Sequence, residues 1–199
     1  MDKDWKGNSR STHAVLGARN YAQNERETND YYATEPLAAT LLMEVEQFSP
    51  RIWECACGEG HLAKEFEKAG YNVYATDIVD RGYGFVQDFM ATAAPPLPGF
   101  DIITNPPYAR AQEFVEHALD IVDDGQKVAM FLKIQFLETK ARRKLFETRP
   151  PKTVYVSSAR LRCAMNGDFE KYAKSTAVCY AWYVWVKGYT GDTVIKWIN

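Results

Sequence analysis

The sequence predicts an α/β fold: a mostly parallel seven-stranded sheet with helices on both faces and an antiparallel C-terminal edge. Three observations lead there. Short β-branched runs alternate with segments of helical apolar spacing from residue 36 to residue 158, the pattern of strand–helix–strand units with right-handed crossovers. Two strand-like segments at the C-terminus have no helix between them. The sequences that packing explains least fall just after strands, where such sheets bind their ligands.

The elements follow in order. Pro36 suits the first turn of a helix, and Leu37, Leu41, Leu42, Val45 and Phe48 give it an apolar face. Residues 51–55 read as a strand that runs into Gly58-Glu59-Gly60, and residues 62–70 as a helix ended by glycine. A second strand covers 71–76 and stops at Asp77; a weak one surrounds Phe85-Val86. Residues 101–104 form a strand ending at Asn105-Pro106-Pro107-Tyr108. Then come a helix over 111–122, a buried strand over 127–133, a helix over 138–147 and a strand over 153–158. Residues 177–186 alternate and are rich in aromatics, which predicts a long strand. Gly188 to Asp192 would turn it as a hairpin into a last strand over 194–198. Residues 1–29 are polar, mixed in charge and without apolar periodicity, so a mobile arm is expected before a single domain over 30–199.

Composition narrows the function. The chain has 199 residues, 46% hydrophobic and 25% charged, a globular balance that excludes a wholly disordered chain. The start lacks the apolar core of a signal peptide, and there is no apolar run of about 18 residues, so a cytoplasmic protein with no membrane partner is expected. Cys55, Cys57, Cys163 and Cys179 form no C-x-x-C pair and lack a histidine cluster at ligand spacing. Free thiols and no metal are expected.

Glu54-Cys55-Ala56-Cys57-Gly58-Glu59-Gly60 joins a strand to a helix, and small residues at 56, 58 and 60 allow a tight turn close to a ligand. Asp77 ends the next strand, 19 residues after Gly58, where an acid binds two ribose hydroxyls and repels a 2'-phosphate. The turn has acids at 54 and 59, no lysine, and no phosphate-loop motif. A cationic nucleoside such as S-adenosylmethionine, with a sulfonium, an ammonium and no phosphate, suits it better than a dinucleotide. A solvated strand end for Glu54 and a helix cap for Asp77 are the plain alternatives.

Asn105-Pro106-Pro107-Tyr108 suits one chemical task. An amino group conjugated to a ring or carbonyl is a poor nucleophile, because its lone pair is delocalised. The Asn105 oxygen and the Pro106 carbonyl can each accept an N–H and stabilise the positive charge that develops on methylation. The Tyr108 ring can stack on a flat substrate, and Pro107 stiffens the loop. The plain alternative is a Pro-Pro turn with an Asn cap.

Together these residues resemble the class I S-adenosylmethionine-dependent amino-methyltransferases, and among them the phage- and prophage-type DNA N6-adenine methyltransferases. The likeness covers roughly residues 29–187, with Asn-Pro-Pro-Tyr its most specific element. It implies a Rossmann-like fold, S-adenosylmethionine as cofactor and DNA as the expected partner. By the same likeness, residues 29–36 form a motif around the methionine end of the cofactor, with Tyr32 and Thr34 as contacts. Ile78 joins Asp77 as a contact, and Asp88 with Phe89 would read the cofactor adenine. The family's glycine at the first small position is Ala56 here, followed by an unusual Cys57. No insertion is large enough for a separate target-recognition domain, so relaxed sequence specificity is expected.

The formal net charge of -2 hides a division. Residues 1–126 carry 10 Lys+Arg against 21 Asp+Glu, and residues 127–174 carry 12 against 4. The basic stretch favours a polyanion. Lys133, Arg142, Arg143, Arg160, Arg162 and Lys171 are candidate substrate contacts, and Phe169 a candidate second stacking ring over a flipped base. A solvated helix face and a loop-packing Phe are the alternatives. RNA bases and protein glutamine amides remain possible acceptors, as does an inactive cofactor-binding module. A monomer or weak dimer is expected.

Overall fold

The structure, a computed structural model, describes residues 32–159, 161–165 and 178–199. Its main sheet has eight strands: β2 (Arg51–Glu54), β3 (Asn72–Asp77), β4 (Phe85–Val86), β5 (Phe100–Thr104), β6 (Lys127–Lys133), β7 (Thr153–Ser157), β9 (Tyr180–Val186) and β10 (Val194–Ile198). They lie in the order β10-β7-β9-β6-β5-β2-β3-β4. Helices α1 (Leu37–Val45), α2 (His61–Lys68), α3 (Ala111–Ile121) and α4 (Arg143–Thr148) connect them. The predicted α/β class and mostly parallel sheet are observed.

Central strands are apolar on both faces because both faces are covered. Every residue of β5 is buried, as are Ile52, Trp53 and Glu54 of β2 and Val128 to Leu132 of β6. One core gathers Trp53, Phe89, Phe114, Tyr183 and Trp185; the other gathers Leu42, Ile52, Phe66, Phe131, Tyr155 and Trp182. The buried indoles keep partners for their N–H groups: Trp53 donates to Thr76 Oγ1 at 2.9 Å and Trp182 to the Ala38 carbonyl at 2.8 Å.

The C-terminal hairpin is not what forms. β9 runs antiparallel between β6 and β7, with Lys133 opposite Tyr180 and Thr153 opposite Val184. β10 pairs parallel with β7 at the edge, so the antiparallel strand is interior and the strands number eight. Burial explains the exchange. Tyr180 to Trp185 are all buried, so β9 needs neighbours on both sides; β10 is exposed from Val194 to Trp197 and tolerates the edge.

The helix expected over 138–147 is shortened to α4, preceded by a 3-10 turn at Lys140–Arg142. Thr139 adopts φ 142°, which ends the preceding turn.

A second, two-stranded ribbon was not foreseen. β1 (Tyr32–Thr34) pairs antiparallel with β8 (Cys163–Met165), with Thr34 opposite Cys163. Glu35 fastens it: its carboxylate meets Arg162 Nη2 at 2.6 Å and accepts the Arg162 N–H at 3.1 Å. The arm over 1–29 lies outside the described residues. Among those described, no helix is long and apolar enough to cross a membrane, and no three His, Cys, Asp or Glu gather as a metal-ligand group.

Candidate active site

The C-terminal ends of β2, β3 and β5 open into one cavity of about 340 Å3. Of the residues expected from sequence, Tyr32, Thr34, Glu54, Ala56, Cys57, Asp77, Ile78, Asp88, Phe89 and Asn105 to Tyr108 all line it. Gly58 and Gly60, also expected there, are not among its lining residues. Gly60 has φ +78°, and a Cβ there would lie 2.4 Å from the Tyr83 ring. Gly60→Ala is therefore expected to cost at least ~1–2 kcal/mol from the left-handed backbone alone, read as a fall in the urea midpoint. An unchanged midpoint would show that the turn relaxes.

The β2 turn sets a buried carboxyl beside Asp77. Glu54 is 2% exposed, and its Oε2 has no hydrogen-bond partner. Burial pushes its carboxyl well above the usual range, the Ala63 N–H eases this, and Asp77 and Glu67 add to it. Asp77 ties the turn to β3, accepting the Gly58 N–H at 2.8 Å and the Val79 N–H at 3.0 Å. Each oxygen keeps a second lone pair for a ligand. Burial likewise lifts the Cys57 thiol to about 12, which keeps it neutral. Ile78 is 54% exposed beside Asp77 and offers an apolar wall. Asp88 caps the 3-10 turn Phe89–Ala91 by accepting the Met90 N–H at 2.9 Å. The Phe89 ring is a core residue as well as a wall, packed on Trp53 and Phe114 at 5.2 and 5.0 Å.

At the β5 end, the orientation of the Asn105 amide is fixed by its surroundings. Its Nδ2 donates to the Tyr32 carbonyl at 2.9 Å and to Thr34 Oγ1 at 2.8 Å. Its Oδ1 is buried with no partner. The structure thus holds an acceptor without a partner at a strand end, on a residue that lines the cavity. Tyr108 donates to Cys163 Sγ at 3.2 Å. Its ring stacks on Tyr32 with centroids 5.6 Å apart, and the Lys133 ammonium sits 4.4 Å from its centre. A flat substrate meets this ring only where Tyr32 and Lys133 leave it open.

The cations predicted to bind substrate are mostly engaged already. Arg142 donates to the carbonyls of Phe136, Gln135 and Glu138 at 2.7, 3.1 and 2.6 Å, so it braces the segment after β6. Arg143 pairs with Glu147 at 2.5 Å on α4, and Arg162 with Glu35. Arg160, Phe169 and Lys171 lie outside the described residues. Sequence reasoning missed His61, Arg81, Arg110 and Phe114 on the cavity wall. Arg110 and Phe114 follow Asn-Pro-Pro-Tyr within six residues, a proximity that was the available signal. Arg81 lies on the loop after Asp77 and carries no motif.

No family model matches the chain, and no curated protein matches its sequence. Solved structures do. A candidate RNA methyltransferase of Pyrococcus horikoshii superposes with a TM-score of 0.59 at 13% identity, over 89% of this chain and 98% of that one. A candidate class I S-adenosylmethionine-dependent methyltransferase of Listeria monocytogenes gives 0.55 at 12% identity, over 94% and 71%. A candidate hemolysin of Lactococcus lactis gives 0.56 at 11% identity, over 81% and 91%. At such identities the likeness is one of fold, the Rossmann-like architecture of class I methyltransferases, and function has to be argued from the site.

Proposed function

We propose that this protein is an S-adenosylmethionine-dependent methyltransferase acting on the N6 amino group of adenine in DNA, with relaxed sequence specificity and a flipped base. The observation that carries it is the buried, unpartnered Asn105 Oδ1, turned to accept because the amide nitrogen is already committed.

The residues present fit the cofactor. A buried carboxylate oxygen without a partner at Glu54 suits a cation, Asp77 retains lone pairs for ribose hydroxyls, and Ile78 offers a flat apolar surface. When bound, S-adenosylmethionine supplies a methyl group on positively charged sulfur. The chain's own residues handle the acceptor. Asn105 Oδ1 and the Pro106 carbonyl accept the two amino hydrogens, which localises the nitrogen lone pair and stabilises the charge that develops there. Pro106 and Pro107 limit the loop's freedom, so the acceptors are in place beforehand. The amino nitrogen sheds its proton to water after transfer, which needs no dedicated base.

Nucleic acid is the acceptor class that the charge supports. Lys140 and Lys144 are exposed on the segment after β6 and are outside the salt bridges of Arg143 and Arg149. An RNA base is the second reading, favoured by the description of the Pyrococcus horikoshii neighbour. The test is tritiated methyl transfer to duplex DNA, single-stranded DNA, RNA and protein, with nucleoside analysis of the product. N6-methyladenine in DNA is the expected label. Label confined to RNA or protein would overturn the DNA reading, and cofactor binding with no transfer would mark a binding module.

A further inference from the structure

We infer that Thr34 is a positioning residue for methyl transfer: with the Tyr32 carbonyl it clamps the Asn105 side-chain amide so that the oxygen, not the nitrogen, is left to the substrate. The inference rests on the amino-methyltransferase reading and gives Thr34 a different task from the cofactor contact expected of it. Both clamp groups sit on β1 and accept from Nδ2 at 2.9 and 2.8 Å, with Cys163 Sγ on β8 a more distant third acceptor at 3.9 Å. Thr34 is 2% exposed. β1 pairs with β8, through the Thr34–Cys163 register and the Arg162–Glu35 bridge. Cys163 adds the other half of the frame, taking the Tyr108 hydroxyl at 3.2 Å.

The clamp matters because the terminal torsion of an Asn side chain is broad and roughly two-fold. An inverted amide would face a donor amino group with its own donors. The Tyr32 carbonyl, which can only accept, excludes that state before substrate arrives, and the Thr34 hydroxyl holds the second hydrogen.

Thr34→Val keeps the shape and the strand preference but removes one acceptor. It is expected to lower kcat about tenfold, the equivalent of one hydrogen bond of ~1.4 kcal/mol. The calorimetric Kd for S-adenosylmethionine should stay within two-fold, and Thr34→Ser should restore the rate. A readout independent of catalysis is hydrogen exchange of the Asn105 side-chain amide in protein labelled with 15N-asparagine, its peaks assigned by their loss in Asn105→Ala. Slow exchange in the wild type, at least tenfold faster in Thr34→Val and slow again in Thr34→Ser, supports the clamp. Unchanged exchange in Thr34→Val overturns it. Faster exchange with unchanged kcat overturns the positioning role. A weakened Kd with intact kcat returns Thr34 to the cofactor. A wild type that methylates no amino acceptor defeats the underlying function, and is told apart because the exchange contrast persists.

Discussion

Asn105→Ala is expected to lower methyl transfer at least ~100-fold, the usual cost of removing one preorganised group that stabilises transition-state charge. Its Oδ1 is the buried acceptor without a partner, and the Pro106 carbonyl alone cannot hold both amino hydrogens. The same substitution leaves Thr34 Oγ1 and the Tyr32 carbonyl without the amide that they bind. A modest loss of stability, ~1–3 kcal/mol, should accompany it. Cofactor affinity is expected to stay within a few-fold, because the acidic turn at Glu54 and Asp77 is untouched. Single-turnover transfer and calorimetry separate the two effects. A variant that remained active would remove Asn105 from the amino acceptor's partners.

Glu54→Gln should separate stability from binding. Burial holds the Glu54 carboxyl well above the ordinary range. A carboxyl raised on folding contributes its stability fully below the unfolded value and loses it as pH rises through the folded value. Glutamine does not ionise, so the ligand-free variant should gain in Tm over the wild type as pH rises through that interval. Binding should run the other way. A cation prefers ionised Glu54, so wild-type affinity for S-adenosylmethionine should strengthen with pH across the same interval, with protons released on binding. Loss of the charge should weaken affinity at least ~tenfold, since a hydrogen bond to a charged group contributes ~1.5–3 kcal/mol. Calorimetry in buffers of different ionisation enthalpy reads the proton release. Equal affinity in the two proteins would place the cationic group elsewhere.

The cavity was legible in the sequence because its residues fall at strand ends, where the backbone must turn and packing does not dictate identity. Glu54, Asp77 and Asn105 are polar at positions bordering buried strands, an inconsistency that function resolves. Two kinds of feature were not legible. The β1–β8 ribbon joins segments about 130 residues apart, and three-residue strands such as Tyr32–Thr34 are too short to show a period. The place of β9 was misread because Ala181 and Val184 are as apolar as local alternation allows on either face; only the covering of both faces makes it interior. The basic stretch was a true count but a poor guide to free charge. Arg149 and Arg162 spend donors on carboxylates that sequence distance hides, while Arg142 and Arg143 spend theirs on groups within seven residues.

The interior position of β9 also governs when the molecule can come into being. Strands β2, β3, β5 and β6 are made by residue 133, yet the slot between β6 and β7 stays empty until residues 180–186 leave the ribosome. Until then the edges of β6 and β7 are unpaired and Trp182, Tyr183 and Trp185 are missing from both cores. Pairings of such long sequence separation are slow to close, because the loop entropy is spent before any contact rewards it. The sheet therefore cannot close between β6 and β7 before residues 180–186 are available to pair with both.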